Sequence, residues 1–230
     1  MFWAVSTLLL VSAWLALTSP ALSVKQVLVY GQRRVSVVEI REHAGLLPGT
    51  PLIRVNLRSL AARVKSHPQM AQAWVQRQWP DAIVIRVEER EPVALVARYG
   101  GWYLVDGSGY LLGEAKVDDL SILPIISGVS ADGETLGEPM RIPQIEAALD
   151  ALTACTPAWR GMLSEVNVAE GLELTLYLPN LRILLGQADS GLGDRVAMLE
   201  GILRDIGPIP PPRRLIIDCR YGRTPVVRPG

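Results

Sequence analysis

An uncharged apolar stretch at the N-terminus is the feature that most constrains this chain. No Asp, Glu, Lys or Arg occurs from Phe2 to Leu22, and the first charged side chain is Lys25. A helix over these residues would be about 30 Å long, which is the thickness of the hydrocarbon core of a bilayer. The stretch therefore predicts a transmembrane signal anchor over residues 1–23.

The fate and the orientation of this stretch leave alternatives open. A cleaved signal peptide would end near Ala21-Leu22-Ser23, which is a poor cleavage site, whereas Pro20 and the length of the run favour a retained anchor. Basic residues follow the stretch and none precedes it, which is the reverse of the usual charge distribution for an exported C-terminal region. We therefore expect the start to be truncated or misassigned, with a basic cytoplasmic segment encoded upstream.

The overall composition is that of a globular chain without affinity for nucleic acids. The 230 residues have zero formal net charge and are 49% apolar, which is enough for one or two domains with their own cores. Because there is no basic surface, a nucleic-acid partner is not expected. The two histidines exclude a multi-histidine metal site within the chain. Cys155 and Cys219 are too few for a disulfide framework, and they leave one disulfide as an alternative to two buried free thiols.

The sequence contains no residue pattern typical of an enzyme. His43 and His67 have no Ser, Cys or Asp at a spacing that nucleophilic catalysis uses. Gly191-Leu192-Gly193 lacks the Lys and the Ser or Thr of a phosphate-binding loop. We therefore predict no catalytic residue, no metal ligand, no cofactor and no small-molecule substrate.

Residues 24–92 predict a small α+β unit of order β-α-α-β-β. Its two helices are marked by N-caps, with Ser36 before a helix over 37–44 and Asn56 before a helix over 57–66. The strands are expected at 24–30, 73–79 and 83–88. Such a segment folds as a sheet with two helices on one face.

Residues 93–221 predict a second, mixed β-rich domain. Pro143 marks the first turn of a helix that ends near Ala154, and another helix ends near Asp205. Residues 114–141 are expected to be rich in loops, and residues 222–230 to form a polar, mobile C-terminal tail. Short strands are expected at 93–98, 102–105, 110–112, 166–168, 172–178, 181–185 and 215–220.

Several runs of this sequence resemble one family. The run HPQMAQAWVQRQWPDAIVIRVEEREPVALV, residues 67–96, is similar to the FtsQ/DivIB pattern of His-Pro, an alternating strand, Trp-Pro-Asp, a second strand and then Glu-Arg-x-Pro-Val-Ala. Residues 24–92 accordingly resemble the POTRA domain of that family, and residues 93–221 resemble its β-domain. Four further runs fit the family in order: LPGTPLIRVNL (47–57), WYLVDGSGYLL (102–112), LPIISG (123–128) and IDCRY (217–221).

The resemblance implies a non-enzymatic, single-pass protein of the cell inner membrane, held by residues 2–22, with the bulk of the chain in the periplasm. It also implies a scaffold that assembles the division machinery by binding FtsB and FtsL-like division proteins through its periplasmic domains. The alternative function is a secreted or anchored POTRA adaptor of an outer-membrane assembly or transport system.

Trp79, Pro80 and Asp81 are expected to form a structural turn. Pro80 would fix the turn between two strands, Asp81 would bond the turn backbone, and Trp79 would cap the core. The charged run Glu88-Glu89-Arg90-Glu91 is expected to be a solvated strand end.

The last predicted strand and the residues after it form the candidate partner-binding site. A strand at a sheet edge presents unpaired backbone groups, to which a strand of a partner can add. The resemblance implies that FtsB binds in this way, and the matching positions are Arg220, Tyr221 and Gly222. Tyr221 would be an aromatic anchor or, on a simpler interpretation, a rim residue over the core.

The POTRA-like unit offers two further surfaces. Its own edge strand could accept a second partner segment, which nothing in the sequence identifies. Arg33, Arg34 and Arg41 could instead lie near anionic lipid headgroups, with each contributing about 1 kcal/mol at best.

Overall fold

The computed structural model of the chain describes residues 3, 5–7, 10, 14, 20–206, 214–220 and 224–230. Across these residues, no helix combines the length and the apolar character that crossing a bilayer requires. The predicted anchor over residues 1–23 lies largely outside the described residues. The chain divides into two compact units, Met1–Arg90 and Glu91–Gly230.

The first unit is a three-stranded sheet with two helices on one face. The sheet has one parallel and one antiparallel pair of strands, and the predicted β-α-α-β-β order is confirmed. In chain order the elements are strand β1 (Gln26–Tyr30), helix α1 (Val37–Ala44), helix α2 (Leu57–Lys65), strand β2 (Met70–Gln78) and strand β3 (Ala82–Glu89). The order in the sheet is β1-β3-β2, so β1 and β2 are its edges.

Capping residues determine where the two helices begin and end. Ser36 Oγ accepts the N–H of Glu39 at 3.1 Å, and Gly45 ends α1 in the left-handed conformation with φ of 59°. Asn56 Oδ1 accepts the N–H of Ser59 at 3.1 Å at the start of α2. These caps agree with the sequence analysis because they join residues only a few positions apart.

Glu89 at the end of β3 is a structural residue, so the prediction of a merely solvated strand end is wrong for this position. Its Oε1 accepts the N–H groups of Arg33 and Val35 at 2.8 and 3.1 Å, and its Oε2 accepts the Arg34 N–H at 2.9 Å. The carboxylate thus satisfies the backbone of the loop between β1 and α1, more than fifty residues away.

The second unit is built on a nine-stranded sheet. Its helices are α3 (Asp119–Ile122), α4 (Pro143–Ala154), α5 (Pro157–Arg160) and α6 (Leu192–Ile206). Its strands are β4 (Pro92–Arg98), β5 (Gly101–Asp106), β6 (Leu111–Glu114), β7 (Ile125–Ser130), β8 (Glu165–Val168), β9 (Glu173–Leu178), β10 (Leu181–Gln187), β11 (Leu215–Asp218) and β12 (Val226–Pro229). Their order is β12-β11-β10-β9-β8-β7-β4-β5-β6.

Apolar side chains pack on both faces of this sheet. On one face, α4 and α6 contribute to the main core, which includes Ile145 and Val196 from these helices together with Ile183 and Ile217 from the strands. On the opposite face, a smaller cluster forms from Leu95, Leu104, Leu112 and the residues packed on them. Alternation along the strand sends successive side chains to opposite faces, so both faces of β4 are buried.

Strand β7 occupies an interior position in the sheet, although residues 114–141 were predicted to be rich in loops. Its apolar residues are Ile125, Ile126 and Val129, and this pattern is too short and irregular for periodicity to identify. It pairs in parallel with β4 and β8, both distant in the chain. Gly128 has φ of +84°, and a Cβ there would lie 2.1 Å from the carbonyl oxygen of Val168. Tertiary pairing, rather than local preference, therefore makes this segment a strand.

Replacing Glu89 by Ala should destabilise the first unit by about 2 kcal/mol, because three backbone N–H groups lose a charged acceptor. Native-state hydrogen exchange of the β1 and β3 amides would measure the change. Glu88→Ala is the matched control, since the Glu88 side chain is exposed and makes no hydrogen bond or ion pair with a described residue. Equal protection in the two variants would contradict the structural role of Glu89.

Candidate partner-binding edge

Strand β11 is covered on both sides, so the prediction that it forms the open edge is wrong. It pairs in parallel with β10, and antiparallel with β12. Residues 226–229, which were predicted to belong to a mobile tail, form the covering strand. Within the described residues, the end of the nine-stranded sheet is therefore β12.

The opposite end of this sheet is partly closed by a neighbouring loop. Leu111 in β6 donates its N–H to the Glu138 carbonyl at 3.3 Å and accepts the Gly137 N–H at 2.8 Å. Tyr110 also forms an isolated bridge with Pro139. The two ends thus differ, and β12 is the better candidate for addition of another strand.

The hydrogen-bond pattern determines which backbone groups of β12 face outward. Gly230 donates its N–H to the Arg214 carbonyl at 3.0 Å, and the antiparallel register places Ile216 opposite Arg228. Because hydrogen-bonded and non-hydrogen-bonded pairs alternate, the N–H of Arg228 points toward β11 and that of Val227 points away.

Two prolines restrict the outward-facing edge further. Pro225 and Pro229 occupy the positions that alternate with Val227 on this edge, and proline has no N–H. Among residues 225–229, Val227 is therefore the one donor that an added strand could use. The pattern Pro-Val-Val-Arg-Pro was a signal for this edge strand in the sequence.

The side chains of β12 divide between the two faces of the sheet. All four residues are exposed. Val227 lies opposite Ile217, which belongs to the main core, whereas Val226 lies opposite Asp218 on the other face. A partner strand with an apolar residue beside Val227 would extend the core past β12.

Arg220 lies just after β11, and its guanidinium is bound within the chain. Its Nε donates to Asp218 Oδ1 at 3.0 Å, and its Nη2 donates to Asp218 Oδ2 at 2.8 Å. Gly186 makes room for this side chain, because a Cβ at that position would lie 3.3 Å from Arg220 Cγ. Tyr221 and Gly222, the other two predicted partner-binding residues, lie outside the described residues.

The pair also determines the electrostatics near this edge. Hydrogen bonding from the Arg220 side chain holds the pKa of Asp218 below its ordinary value, although burial opposes the shift. The Arg220 backbone N–H donates to the same carboxylate at 3.1 Å. Asp218 is therefore charged at neutral pH, and it fixes Arg220 just after the end of β11.

Cys155 and Cys219 are both buried free thiols, and no disulfide joins them. Burial raises the pKa of both the Cys155 and the Cys219 thiol to about 11. Within the described part of the chain, no group of three or more His, Cys, Asp or Glu side chains could hold a metal ion.

Trp79, Pro80 and Asp81 lie in the turn between β2 and β3. The Trp79 side chain is 53% exposed, so the interpretation that it caps the core is wrong. Asp81 pairs with the start of the unit instead, because its Oδ2 lies 3.7 Å from Lys25 Nζ.

Arg220→Ala should lower the free energy of unfolding at pH 7 by about 2 kcal/mol, the typical contribution of a hydrogen-bonded charged pair. The folded-state pKa of Asp218 is depressed, so this contribution is present above the unfolded value of about 4. It is lost as the pH falls through the folded pKa. Urea unfolding of both proteins between pH 7 and pH 2.5 would test this, and a difference that does not change with pH would contradict it.

Two family models cover most of the chain. Residues 22–90 match the model described as POTRA domain, FtsQ-type. Residues 94–220 match the model described as cell division protein FtsQ/DivIB, C-terminal. Strand β12 follows the second matched region.

Curated relatives agree with these matches. The cell division protein FtsQ of Syntrophotalea carbinolica is 33% identical over 67% of this chain and 55% of its own length. That of Anaeromyxobacter sp. strain K is 30% identical over 80% of this chain and 63% of its own length. That of Mycobacterium tuberculosis strain H37Rv is 28% identical over 82% of this chain and 57% of its own length.

The chain thus spans less than two thirds of the length of these relatives. Both units nevertheless match the family in the order in which they occur along the chain. The order of units, the family models and the relatives together show that this chain belongs to the FtsQ/DivIB family of cell division proteins.

Proposed function

We propose that this chain is a non-enzymatic scaffold of the division machinery, which binds FtsB and FtsL-like proteins through its periplasmic units. Membership of a cell division family supports a role in cell division. The exposed edge of β12, with one outward donor at Val227, supports the mode of binding. This edge is the observation that carries the proposal.

The proposed location is the inner membrane, with residues 2–22 as the anchor. Those residues of the stretch that the structure describes have helical backbone. Trp3, Leu10 and Trp14 are each at least 60% exposed, which is unfavourable in water and favourable in lipid. The absence of charge from Phe2 to Leu22 is consistent with insertion.

The alternative role in outer-membrane assembly or transport rests on the POTRA unit alone. The match of residues 94–220 to an FtsQ/DivIB C-terminal model favours division. The edge strand β2 pairs with β3 and with no other described strand, so it is a second surface at which a partner segment could add.

Val227→Pro should weaken binding of FtsB about tenfold or more, because it removes the outward donor and places a ring at the edge. Val227→Ala is the matched control, since it shortens the side chain and keeps the N–H. Co-purification of the full-length variants with FtsB and FtsL from membranes would measure the effect. Equal capture by the two variants would exclude strand addition at this edge.

Tyr221→Ala should weaken FtsB binding while the far-UV circular dichroism stays unchanged, if Tyr221 is the aromatic anchor. The affinity of detergent-solubilised full-length protein for FtsB is the measurement. Unaltered affinity would leave Tyr221 as a rim residue, and binding would then depend on β12 alone.

A further inference from the structure

The residues that directly follow the apolar stretch are already paired with the rest of the first unit. Ser23 is 7% exposed and forms a bridge with Pro51, one residue beyond Leu22. Val24 donates its N–H to the Thr50 carbonyl at 2.9 Å and accepts the Gly49 N–H at 2.9 Å. Consequently, no linker residue separates Leu22, the last residue of the apolar stretch, from the paired backbone of the unit.

The turn between β2 and β3 lies at the same end of the unit. The Asp81 carbonyl accepts the N–H of Lys25 at 2.8 Å and that of Gln26 at 3.2 Å. The Asp81 carboxylate and Lys25 Nζ are 3.7 Å apart. Trp79 therefore lies beside the point at which the chain enters the unit.

Several exposed apolar side chains and cations lie at this end of the unit, and we name this group of residues the proximal rim. Leu47 is 74% exposed, Trp79 53% and Ile53 42%. Ile53 belongs to this end because Arg77, at the end of β2, donates to the adjacent Leu52 carbonyl at 2.7 Å. The Lys25 side chain is 58% exposed, and Arg54 is also exposed. The rim thus consists of Lys25, Leu47, Ile53, Arg54 and Trp79.

The opposite end of the unit holds Arg33 and Arg34, two of the three arginines that were predicted to approach headgroups, whereas the third, Arg41, donates to the Val27 carbonyl near the start of β1. Arg33 and Arg34 donate their backbone N–H groups to Glu89, at the far end of β3. The five residues of β1 separate the two ends by about 17 Å. Lys25 and Arg54 are therefore exposed cations near the end of the apolar stretch, whereas Arg33 and Arg34 lie at the far end of the unit.

We propose that the proximal rim rests on the surface of an anionic phospholipid bilayer, with Leu47, Ile53 and Trp79 in the headgroup region. This inference rests on the proposed anchoring by residues 2–22. A segment that spans the bilayer and ends one residue before Ser23 holds this end of the unit at the membrane surface. Tryptophan, aliphatic side chains and basic residues are the composition that this interface favours. Contact with the headgroup region would then account for the exposure of the Trp79 side chain, which a role in capping the core does not.

Depth-dependent fluorescence quenching in vesicles tests the proposal. Full-length Leu47→Cys and Trp79→Cys variants would carry an environment-sensitive dye in vesicles of phosphatidylcholine and phosphatidylglycerol that contain a headgroup spin label. Tyr30→Cys is the matched control, because Tyr30 has the same 53% exposure as Trp79 but lies at the other end of β1. The native thiols are buried, so unmodified protein gives the labelling background.

Quenching at positions 47 and 79 should exceed that at position 30 by about twofold or more, and should decrease when Lys25 and Arg54 are both changed to Glu. Equal quenching at the three positions in protein that floats with the vesicles would overturn the rim proposal and leave the anchor intact. Dyes that are shielded only after FtsB is added would assign the rim to a protein partner and also overturn it. Protein that does not float would overturn both proposals.

Discussion

Backbone hydrogen-bonding groups at the end of a β-sheet must pair, be hidden or face water, and this constraint governs the second unit. The nine strands pair side by side, with β6 at one end of the sheet and β12 at the other. A loop closes part of the β6 end, whereas β12 is exposed along its whole length. Proline at both outward positions beside Val227 limits indiscriminate pairing, because it leaves Val227 as the one outward backbone donor among residues 225–229.

The carboxylates of two residues at strand ends perform comparable structural tasks in the two units. In the first unit, the Glu89 carboxylate accepts hydrogen bonds from three backbone N–H groups of a loop. In the second unit, the Asp218 carboxylate accepts hydrogen bonds from the side chain and the backbone of Arg220. In each case a carboxylate at a strand end fixes a neighbouring backbone segment. For Glu89 this segment is a loop that packs against the strand, and for Asp218 it is the chain that directly follows the strand. Acidic residues that appear to be ordinary surface charge in the sequence therefore determine local backbone structure.

Much of the first unit was predictable because its determinants are local. The caps at Ser36 and Asn56 act over three residues, and the alternating pattern of β2 repeats every second residue. The candidate site was less predictable. The family pattern leads to Arg220, but the covering of β11 by residues 226–229 depends on pairing between two strands. A four-residue strand with two valines gives little periodic signal.

The sequence by itself determined the apolar N-terminal stretch, the order of the first five elements, the helix over residues 143–154 and the membership of a cell division family. Tertiary structure decided which strands are central and which are edges, that Trp79 is exposed, and that Val227 carries the outward donor. The physical reason is that capping and periodicity depend on neighbours along the chain. Burial and hydrogen-bond direction depend on residues that only folding brings together.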